Sequence, residues 1–361
     1  MALTTPDFIA RDSAVIIAEM TADYEGRTGR KLEPAQVETL LINAFAYREL
    51  LIRNQIQDAS LQNLVNYARF PMLDNLGALV GVTRLPAALA QVTLLLTLVS
   101  GHGNVVIPNG LRVSSSDGRA IFELIEDTSV VTGVDTVSAI FVAQTAGKLS
   151  NDYAIGTVNV ILDPQPYLAT ASNTDVTVGG SDEETDDQLR DRIKLAPSAF
   201  SNAGSYKAYE FWAKSTSPLI IDVAITNPTP GTVQVFPLMQ NLATTPTEIL
   251  TAVAAVLNSD KIRPLTDTVI VTSPTSIDTA ITVGLIVYQG TVQSDILTVV
   301  NAALEAFRDG RRKLLGQDVV IDQIKGVCMV DGVYKANVTV PASDLIITET
   351  QFANITSINV T

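Results

Sequence analysis

Hydrophobic and polar positions follow three different periods along the chain. From Pro6 to about Leu85, apolar residues recur at spacings of three and four, as on one face of a helix. From about Gln91 to Val178, short β-branched runs alternate with turn residues, which is typical of strands. From about Pro218 onward, strand-like runs alternate with helix-like runs. The pattern predicts an α+β multidomain protein with N-terminal long helices, a central all-β module and a C-terminal α/β region.

The helical region contains one long segment that begins at Pro34, a residue favoured in a first helical turn. A helix running from Pro34 to Tyr67 would be roughly 50 Å long, and its apolar face would exceed the needs of one small domain. Two alternatives follow: an internal helix bundle, or a helix shared with another subunit. The candidate subunit-interface residues are Leu40, Leu41, Phe45, Leu51, Ile52 and Ile56.

A repeat marks the C-terminal region. TEILTAVAAVLNSDKIRPLTDTVIV (247–271) parallels SDILTVVNAALEAFRDGRRKLLGQDVVI (294–321), and each follows a strand-like run. The repeat predicts two similar β-α-β units, at about 219–273 and 277–340, each ending in a β-branched strand. The expected domains are a helical region at 1–88, a β module at 89–180, connecting helices at 181–217 and α/β domains at 218–361.

The stretch GGSDEETDDQLRDRI, residues 179–193, joins the β module to the region that follows. Gly179 and Gly180 suit a hinge where the chain changes direction. Thr185 is expected to be the N-cap of a helix and to form a capping box with Gln188, three residues later. The stretch is therefore interpreted as a hinge followed by a helix start.

The carboxylates of this stretch have the same structural explanation. Asp186 falls in the first helical turn, where the helix dipole favours negative charge, and it is expected to pair with Arg190 one turn later. The Asp-x-Asp-x-Asp-Gly spacing of a calcium loop does not occur here. We therefore expect no metal site in this stretch.

Composition limits the chemistry. The chain has 361 residues, 47% of them hydrophobic, and a formal net charge of −14, which argues against binding nucleic acid. The lone cysteine, Cys328, lies in an apolar run and is expected to be a buried small hydrophobe. The lone histidine, His102, is expected in a surface turn and cannot form a pair with a second histidine. We predict no catalytic, metal or cofactor-binding residues.

Targeting signals are not apparent. The N-terminus MALTTPDFIARDSAV carries acidic residues and no uninterrupted apolar core, so it does not resemble a secretory signal. No stretch approaches the roughly 18 apolar residues that a bilayer-spanning helix needs. We expect synthesis in a cytosol and no membrane insertion.

Several stretches, in order, resemble the motifs of the baseplate J-like proteins of contractile phage tails. The central one is the Gly-Gly stretch with its Leu-Arg-x-Arg-Ile and the loop Ser-Asn-Ala-Gly (201–204), leading to Tyr206 and Tyr209. The other stretches are ARFPMLDNLGALVGVTRLP (68–86), GNVVIPNGLRVSSSDGRAIFEL (103–124) and VAQTAGKLSNDYAIGTV (142–158). The tail after Val340 resembles no motif of the family.

This resemblance implies a structural subunit of the baseplate wedge in a contractile tail, a tailocin or a related injection system. In the family, N-terminal helices pair with other wedge subunits, and later domains link wedges into a ring around the central hub. The implied partners are other wedge subunits, copies of the chain itself, hub or spike proteins and sheath-proximal proteins. The implied location is the baseplate of the phage tail, after assembly in the host bacterial cytoplasm.

Two other functions remain as alternatives. The β module alone would allow a host-binding or glycan-binding tail protein, although a fibre would show long β repeats or heptads. A tail-associated glycan hydrolase would use paired carboxylates in a cleft that is often lined with aromatic residues. The chain is only 6% aromatic and has a single tryptophan, Trp212, so we expect no enzyme activity.

Overall fold

The computed structural model describes residues 4–200, 205–240, 244–259, 262–264 and 266–361. The chain divides into two compact units, Met1–Thr83 and Arg84–Thr361. The expected loop at 201–204 lies outside the described residues. Within the described ranges, none of the helices combines the length and the apolar character that a bilayer span requires.

Helices form the N-terminal unit: α1 (Ser13–Thr28), α2 (Val37–Leu61) and α3 (Met72–Ala78). Helix α1 begins after Asp12, whose carboxylate accepts a hydrogen bond of 2.8 Å from the Ala14 N–H. It ends at Gly29, which adopts a left-handed conformation with φ of 67°. An Asp at the N-cap and a glycine at the C-terminal end are common start and stop signals of a helix.

Helix α2 is shorter than the sequence predicts. Pro34 lies in a turn before the helix, and residues 62–67 form turns after it, so the helix has 25 residues and a length of about 38 Å. The Asn63 side chain donates a hydrogen bond of 3.0 Å to the Ala59 carbonyl. This bond satisfies a carbonyl of the last turn and competes with continuation of the helix.

One face of α2 is buried in this unit. Ile42 and Ala46 are buried, and so is the polar side chain of Gln57. The Gln57 amide accepts a bond of 2.8 Å from the Phe8 N–H and donates one of 2.7 Å to the Pro6 carbonyl. The N-terminal segment is thus held against the inner face of α2.

The second unit opens with a β barrel, whose strands are β1 (Gln91–Leu98), β2 (Val105–Ile107), β3 (Arg112–Ser115), β4 (Ile121–Leu124), β5 (Thr128–Val130), β6 (Thr136–Ala143), β7 (Val158–Ile161) and β8 (Leu168–Asn173). Six of these form an antiparallel sheet in the order β7-β3-β4-β6-β1-β8, and β2 pairs with β5. Alternate residues point inward, so Leu94, Leu96, Phe122 and Phe141 fill the interior.

The two outer strands of the sheet meet through one residue, Asn173. Its carbonyl accepts a bond of 3.0 Å from the Gly156 N–H, and its side-chain oxygen accepts one of 2.8 Å from the Val158 N–H. Asn173 is itself buried. Its backbone and amide therefore nearly close the sheet into a barrel.

The central part of the second unit contains α4 (Asp186–Leu195), a 3₁₀ turn (Ala196–Phe200), α5 (Tyr206–Lys214), β9 (Ile220–Thr229), β10 (Thr232–Met239), α6 (Thr247–Leu257) and β11 (Thr268–Val271). The sheet order is β11-β10-β9. Strands β10 and β11 are parallel and α6 connects them, as the first repeat predicts. Tyr209 and Trp212 of α5 pack against the same core.

The C-terminal part contains β12 (Thr275–Val287), α7 (Gln293–Arg312), α8 (Ile321–Cys328), β13 (Val333–Val340) and β14 (Gln351–Val360). Strand β12 is central, with β13 antiparallel and β14 parallel to it. Helices α7 and α8 contribute Val300, Leu304 and Ile324 to the core below this sheet.

The second repeat differs from the first. The β-branched run 319–321 does not form the expected strand: Val319 makes an isolated bridge to Leu345, and α8 begins at Ile321. The Ile321 N–H donates a bond of 2.8 Å to the Asp344 carboxylate. Because the first N–H groups of a helix lack intrahelical partners, this distant carboxylate favours a helix start here. The α+β multidomain class is confirmed.

Candidate functional site

Three segments bind one another where the chain enters and leaves the barrel, and each includes part of a stretch that resembles a family motif. They are residues 84–91 before the barrel, 147–151 within it and 178–192 after it. We call these residues the barrel junction. Beyond the pairing of β1 with β8, the chain forms two isolated antiparallel bridges in the junction, Gln91 with Val178 and Ala88 with Ser181. The chain therefore enters and leaves the barrel side by side.

An arginine closes the open end of this pairing. The Arg84 guanidinium donates bonds of 2.6 Å to the Glu184 carbonyl and 2.6 Å to the Asp186 carboxylate. The Leu85 N–H donates a bond of 2.9 Å to the Glu184 carboxylate, and the Leu85 carbonyl accepts one of 3.0 Å from the Glu184 N–H. Arg84 thus ties the segment before the barrel to the first turn of α4.

Glu184 also forms a buried ion pair. Its carboxylate lies 2.9 Å from the Arg192 guanidinium, and the two side chains are 1% and 6% exposed. Burial raises the pKa of the Glu184 carboxyl above its usual value, although the Leu85 N–H and Arg192 both act to lower it. The bonds from Leu85 and Arg192 are the compensation that a carboxylate needs in such a site.

Gly180 occupies a position with no room for a side chain. A Cβ atom there would lie 2.5 Å from the Gly147 carbonyl oxygen and 2.9 Å from the Asn151 side-chain oxygen. The Asn151 amide accepts a bond of 2.9 Å from the Gly180 N–H and donates one of 2.7 Å to its carbonyl. Close packing thus requires a glycine at 180. Gly179 adopts φ of 91°, which favours glycine, and the hinge at these two residues stays a prediction.

Thr185 is the N-cap of α4. Its hydroxyl accepts a bond of 3.4 Å from the Gln188 N–H, and the Gln188 side chain accepts one of 3.1 Å from the Thr185 N–H, which completes a capping box. Two ion pairs of the first turn are with other residues, and the expected pair of Asp186 with Arg190 stays a prediction. Asp186 binds Arg84, and Arg190 binds Asp187, three residues earlier.

The sequence interpretation missed the three groups that hold the junction together: Arg84, Glu184 and Arg192. Arg192 was visible only as the second arginine of Leu-Arg-x-Arg-Ile, and Glu184 as one carboxylate among several. Arg84 lies 100 residues from the carbonyl that it binds, so no local pattern could link them.

A second candidate site is the outer face of α2. Leu40, Phe45 and Ile52 are 62%, 64% and 56% exposed in this chain. Leu41, Leu51 and Ile56 are exposed as well. At about 100° per residue, Leu40 and Leu51 lie opposite the buried Ile42. Leu41, Phe45, Ile52 and Ile56 form a stripe that is centred about 90° around the helix from Ile42 and Ala46. Helix α2 is therefore apolar on two faces, and the N-terminal unit covers only one of them.

The lone histidine lies against backbone carbonyl groups, and the lone cysteine is buried. The His102 side chain is only 4% exposed, unlike the surface histidine that was expected, and its ring nitrogens lie 2.6 and 3.0 Å from the carbonyl oxygens of Gly103 and Val134. Cys328 is buried, as expected, and burial raises the pKa of its thiol to about 11. Among the described residues, no group of three or more His, Cys, Asp or Glu side chains could hold a metal ion.

Comparison with protein-family models gives four matches, in order along the chain. They are the baseplate J-like N-terminal domain at residues 36–90, the baseplate J-like protein barrel domain at 93–180, the baseplate J-like central domain at 201–273 and the baseplate J-like protein C-terminal domain at 279–361. The barrel match coincides with the eight strands β1 to β8.

Two known proteins are similar to the chain. Baseplate protein J of Escherichia phage P2 is 29% identical over 169 residues, which is 46% of this chain and 56% of that protein. A chain from the six-fold symmetrised baseplate structure of the anti-feeding prophage matches over 95% of this chain and 90% of its own length, with a TM-score of 0.45 and 13% identity. With all four domain models matched in order, the chain belongs to the baseplate J-like protein family.

Proposed function

We propose that the chain is a structural subunit of the baseplate of a contractile tail. Support comes from the four family domains, which follow one another from residue 36 to residue 361, and from the similarity to baseplate protein J of phage P2. Within the baseplate, the chain belongs to the wedge and joins wedges into a ring around the central hub. Its place is the virion tail of a phage, or the corresponding part of a tailocin or injection system.

The observation that carries this proposal is the uncovered apolar face of α2. A surface helix normally shows one apolar stripe toward the core and a polar face toward solvent. Helix α2 instead exposes a second apolar stripe, Leu41, Phe45, Ile52 and Ile56, about 90° around the helix from its buried face. Exposed apolar residues grouped in this way mark protein interaction sites. The partner is a helix of another wedge subunit.

The net charge of the chain indicates the surface charge of its other partners. The chain carries a net charge of −14, so identical copies repel one another. Neighbouring wedge, hub and sheath-proximal proteins therefore present basic surfaces, and copies of this chain meet only once those proteins fix their positions. Moderate salt favours assembly because it screens the repulsion between copies.

The function is assembly, with no substrate turned over. The densest carboxylates of the sequence are engaged in structure, because Glu184 binds Arg192, Asp186 binds Arg84 and Asp187 binds Arg190. Thr185 and Gln188 beside them form a helix cap. These contacts account for the carboxylates as parts of the fold.

The test is complementation of a particle-forming strain from which the coding sequence is deleted. The deletion is expected to yield no complete baseplates and no sheathed tails in lysates viewed by negative stain. Wild-type protein restores them. Phe45→Asp does not, because it places a charge in the centre of the α2 contact. Asn43→Asp, which adds the same charge to an exposed site about 160° around the helix, restores them.

One outcome would contradict the proposed function, and a second would contradict only the α2 contact. Intact particles that fail only in host binding or penetration, made by the deletion strain, would indicate an adhesin or a hydrolase. Full restoration by Phe45→Asp would leave the baseplate assignment standing but would show that α2 is not the contact. Circular dichroism of both purified variants checks that each is folded.

A further inference from the structure

The chain segments that precede and follow the barrel lie next to each other. Strand β1 begins at Gln91, and Val178 lies five residues after the end of β8. The Gln91 N–H donates a bond of 2.7 Å to the Val178 carbonyl. Farther out, the Ala88 N–H donates one of 2.9 Å to the Ser181 carbonyl, and the Ser181 N–H returns one of 3.1 Å. The barrel is therefore an insertion whose two ends are joined outside it.

The joined ends are held by a series of separate antiparallel pairs, three residues apart. The pairs Gln91 with Val178 and Ala88 with Ser181 share a single antiparallel register. The same register brings Leu85 opposite Glu184, where the two residues bond in both directions. Arg84 closes the outer end with its bonds to Glu184 and Asp186. We call residues 84–91 and 178–186 together the clamp.

We propose that the clamp transmits mechanical load from the N-terminal unit to α4 directly, so that the barrel is bypassed. The N-terminal unit continues covalently into Arg84, and Asp186 is the first residue of α4. Tension between these two residues acts on the clamp before it reaches Gln91 or Val178. The barrel keeps its structure, and its surface stays available for other contacts, while the rest of the chain is under load.

The geometry also identifies the bonds that matter most. Arg84 and Asp186 lie at the same, outer end of the series of antiparallel pairs. Tension therefore separates the pairs one at a time, from this end toward Gln91 and Val178. The outermost bonds meet the force first. Hydrogen bonds to charged groups are stronger than neutral ones. The Arg84 bonds to Glu184 and Asp186 therefore set the force at which the clamp opens.

The experiment pulls on the full chain by its two termini in optical tweezers at constant force. Unfolding of the barrel between Gln91 and Val178 releases roughly 300 Å of chain, which identifies the event. Arg84→Ala is expected to shorten the waiting time for this event about tenfold or more, as expected for the loss of hydrogen bonds to charged groups. Asp186→Asn, which weakens the same contact from the other side, shortens it less.

The matched control is Arg112→Ala, which removes an arginine of β3 that is bound to Asp163 by two bonds, of 2.9 and 2.7 Å, on the barrel surface. This variant is expected to leave the waiting time unchanged. Amide exchange without load should be the same in the barrel strands of wild type and Arg84→Ala. The proposal is overturned if Arg84→Ala does not change the waiting time, or if Arg112→Ala shortens it equally. The chain is tested alone, so neither result bears on the baseplate proposal.

Discussion

The Glu184 carboxylate and the Arg192 guanidinium lie 2.9 Å apart and are almost completely buried at the start of the central domain. Removing one partner of a buried pair leaves an uncompensated charge, which costs about 3–5 kcal/mol. Arg192→Met keeps most of the side-chain volume and removes the cation. We expect it to lower the free energy of unfolding by about this amount at pH 8.

Trp212 gives a local readout for this variant. It is the only tryptophan, and it packs in the core of the central domain, so its fluorescence follows the urea unfolding of that domain. Arg190→Met, on the same helix, is the control. Its partner Asp187 is 93% exposed, and pairs with an exposed member contribute about 0–1 kcal/mol. A loss of about 1 kcal/mol or less in Arg192→Met would show that the buried pair has no special role.

The cost of Arg192→Met should depend on pH. Burial already raises the pKa of Glu184, and Arg192 is one of the groups that hold it down, so the variant raises it further. A carboxyl whose pKa is higher in the folded than in the unfolded protein stabilises the fold below the unfolded pKa, and this stabilisation is lost as pH rises. The deficit relative to wild type should therefore be larger at pH 8 than at pH 5. A deficit that grows toward low pH would contradict this account.

Local pattern was enough for much of this fold. The three- and four-residue spacing predicts α2 and an apolar face along it, and β-branched runs predict β1, β3, β4 and β6. Two strands escaped because their signals are weak. Strand β5 is only three residues long, and β8 has the sequence LATASN, rich in small residues. The run TDVTV (174–178) has the composition of a strand but does not form one, and Val178 makes an isolated bridge to Gln91.

Contacts between distant parts of the chain decide what the pattern could not. The run Val319-Val320-Ile321 has the composition of a strand, yet the Asp344 carboxylate, 23 residues away, binds the Ile321 N–H where α8 begins. Arg84 reaches Asp186 across 102 residues. Residue spacing reports on neighbours within a turn or two, so neither contact could be predicted from one sequence.

Gly180→Ala should destabilise the barrel junction. The added Cβ would lie 2.5 Å from the Gly147 carbonyl oxygen, and the backbone cannot move away without breaking its bonds to Asn151. Overpacking of this kind costs about 1–3 kcal/mol. Gly103→Ala is the control, since nothing lies within 4 Å of its added Cβ, and it should change stability by no more than about 0.5 kcal/mol. Denaturant unfolding followed by circular dichroism measures both. Equal effects would show that the space at Gly180 can relax.

Thr185→Ala should destabilise the start of α4, and added metal ions should not change the stability of the variant or of the wild type. The Thr185 hydroxyl accepts the Gln188 N–H at 3.4 Å, a long bond, so we expect a loss of about 0.5–1 kcal/mol, in the lower half of the range for N-caps. Thr185→Ser keeps the acceptor and should match wild type in Trp212 fluorescence during urea unfolding. Calcium or magnesium should leave the unfolding midpoints of all three proteins unchanged, because the nearby carboxylates Glu184 and Asp186 already bind arginines. A rise of several degrees in the wild-type melting temperature on adding either ion would mean that these carboxylates form a cation site.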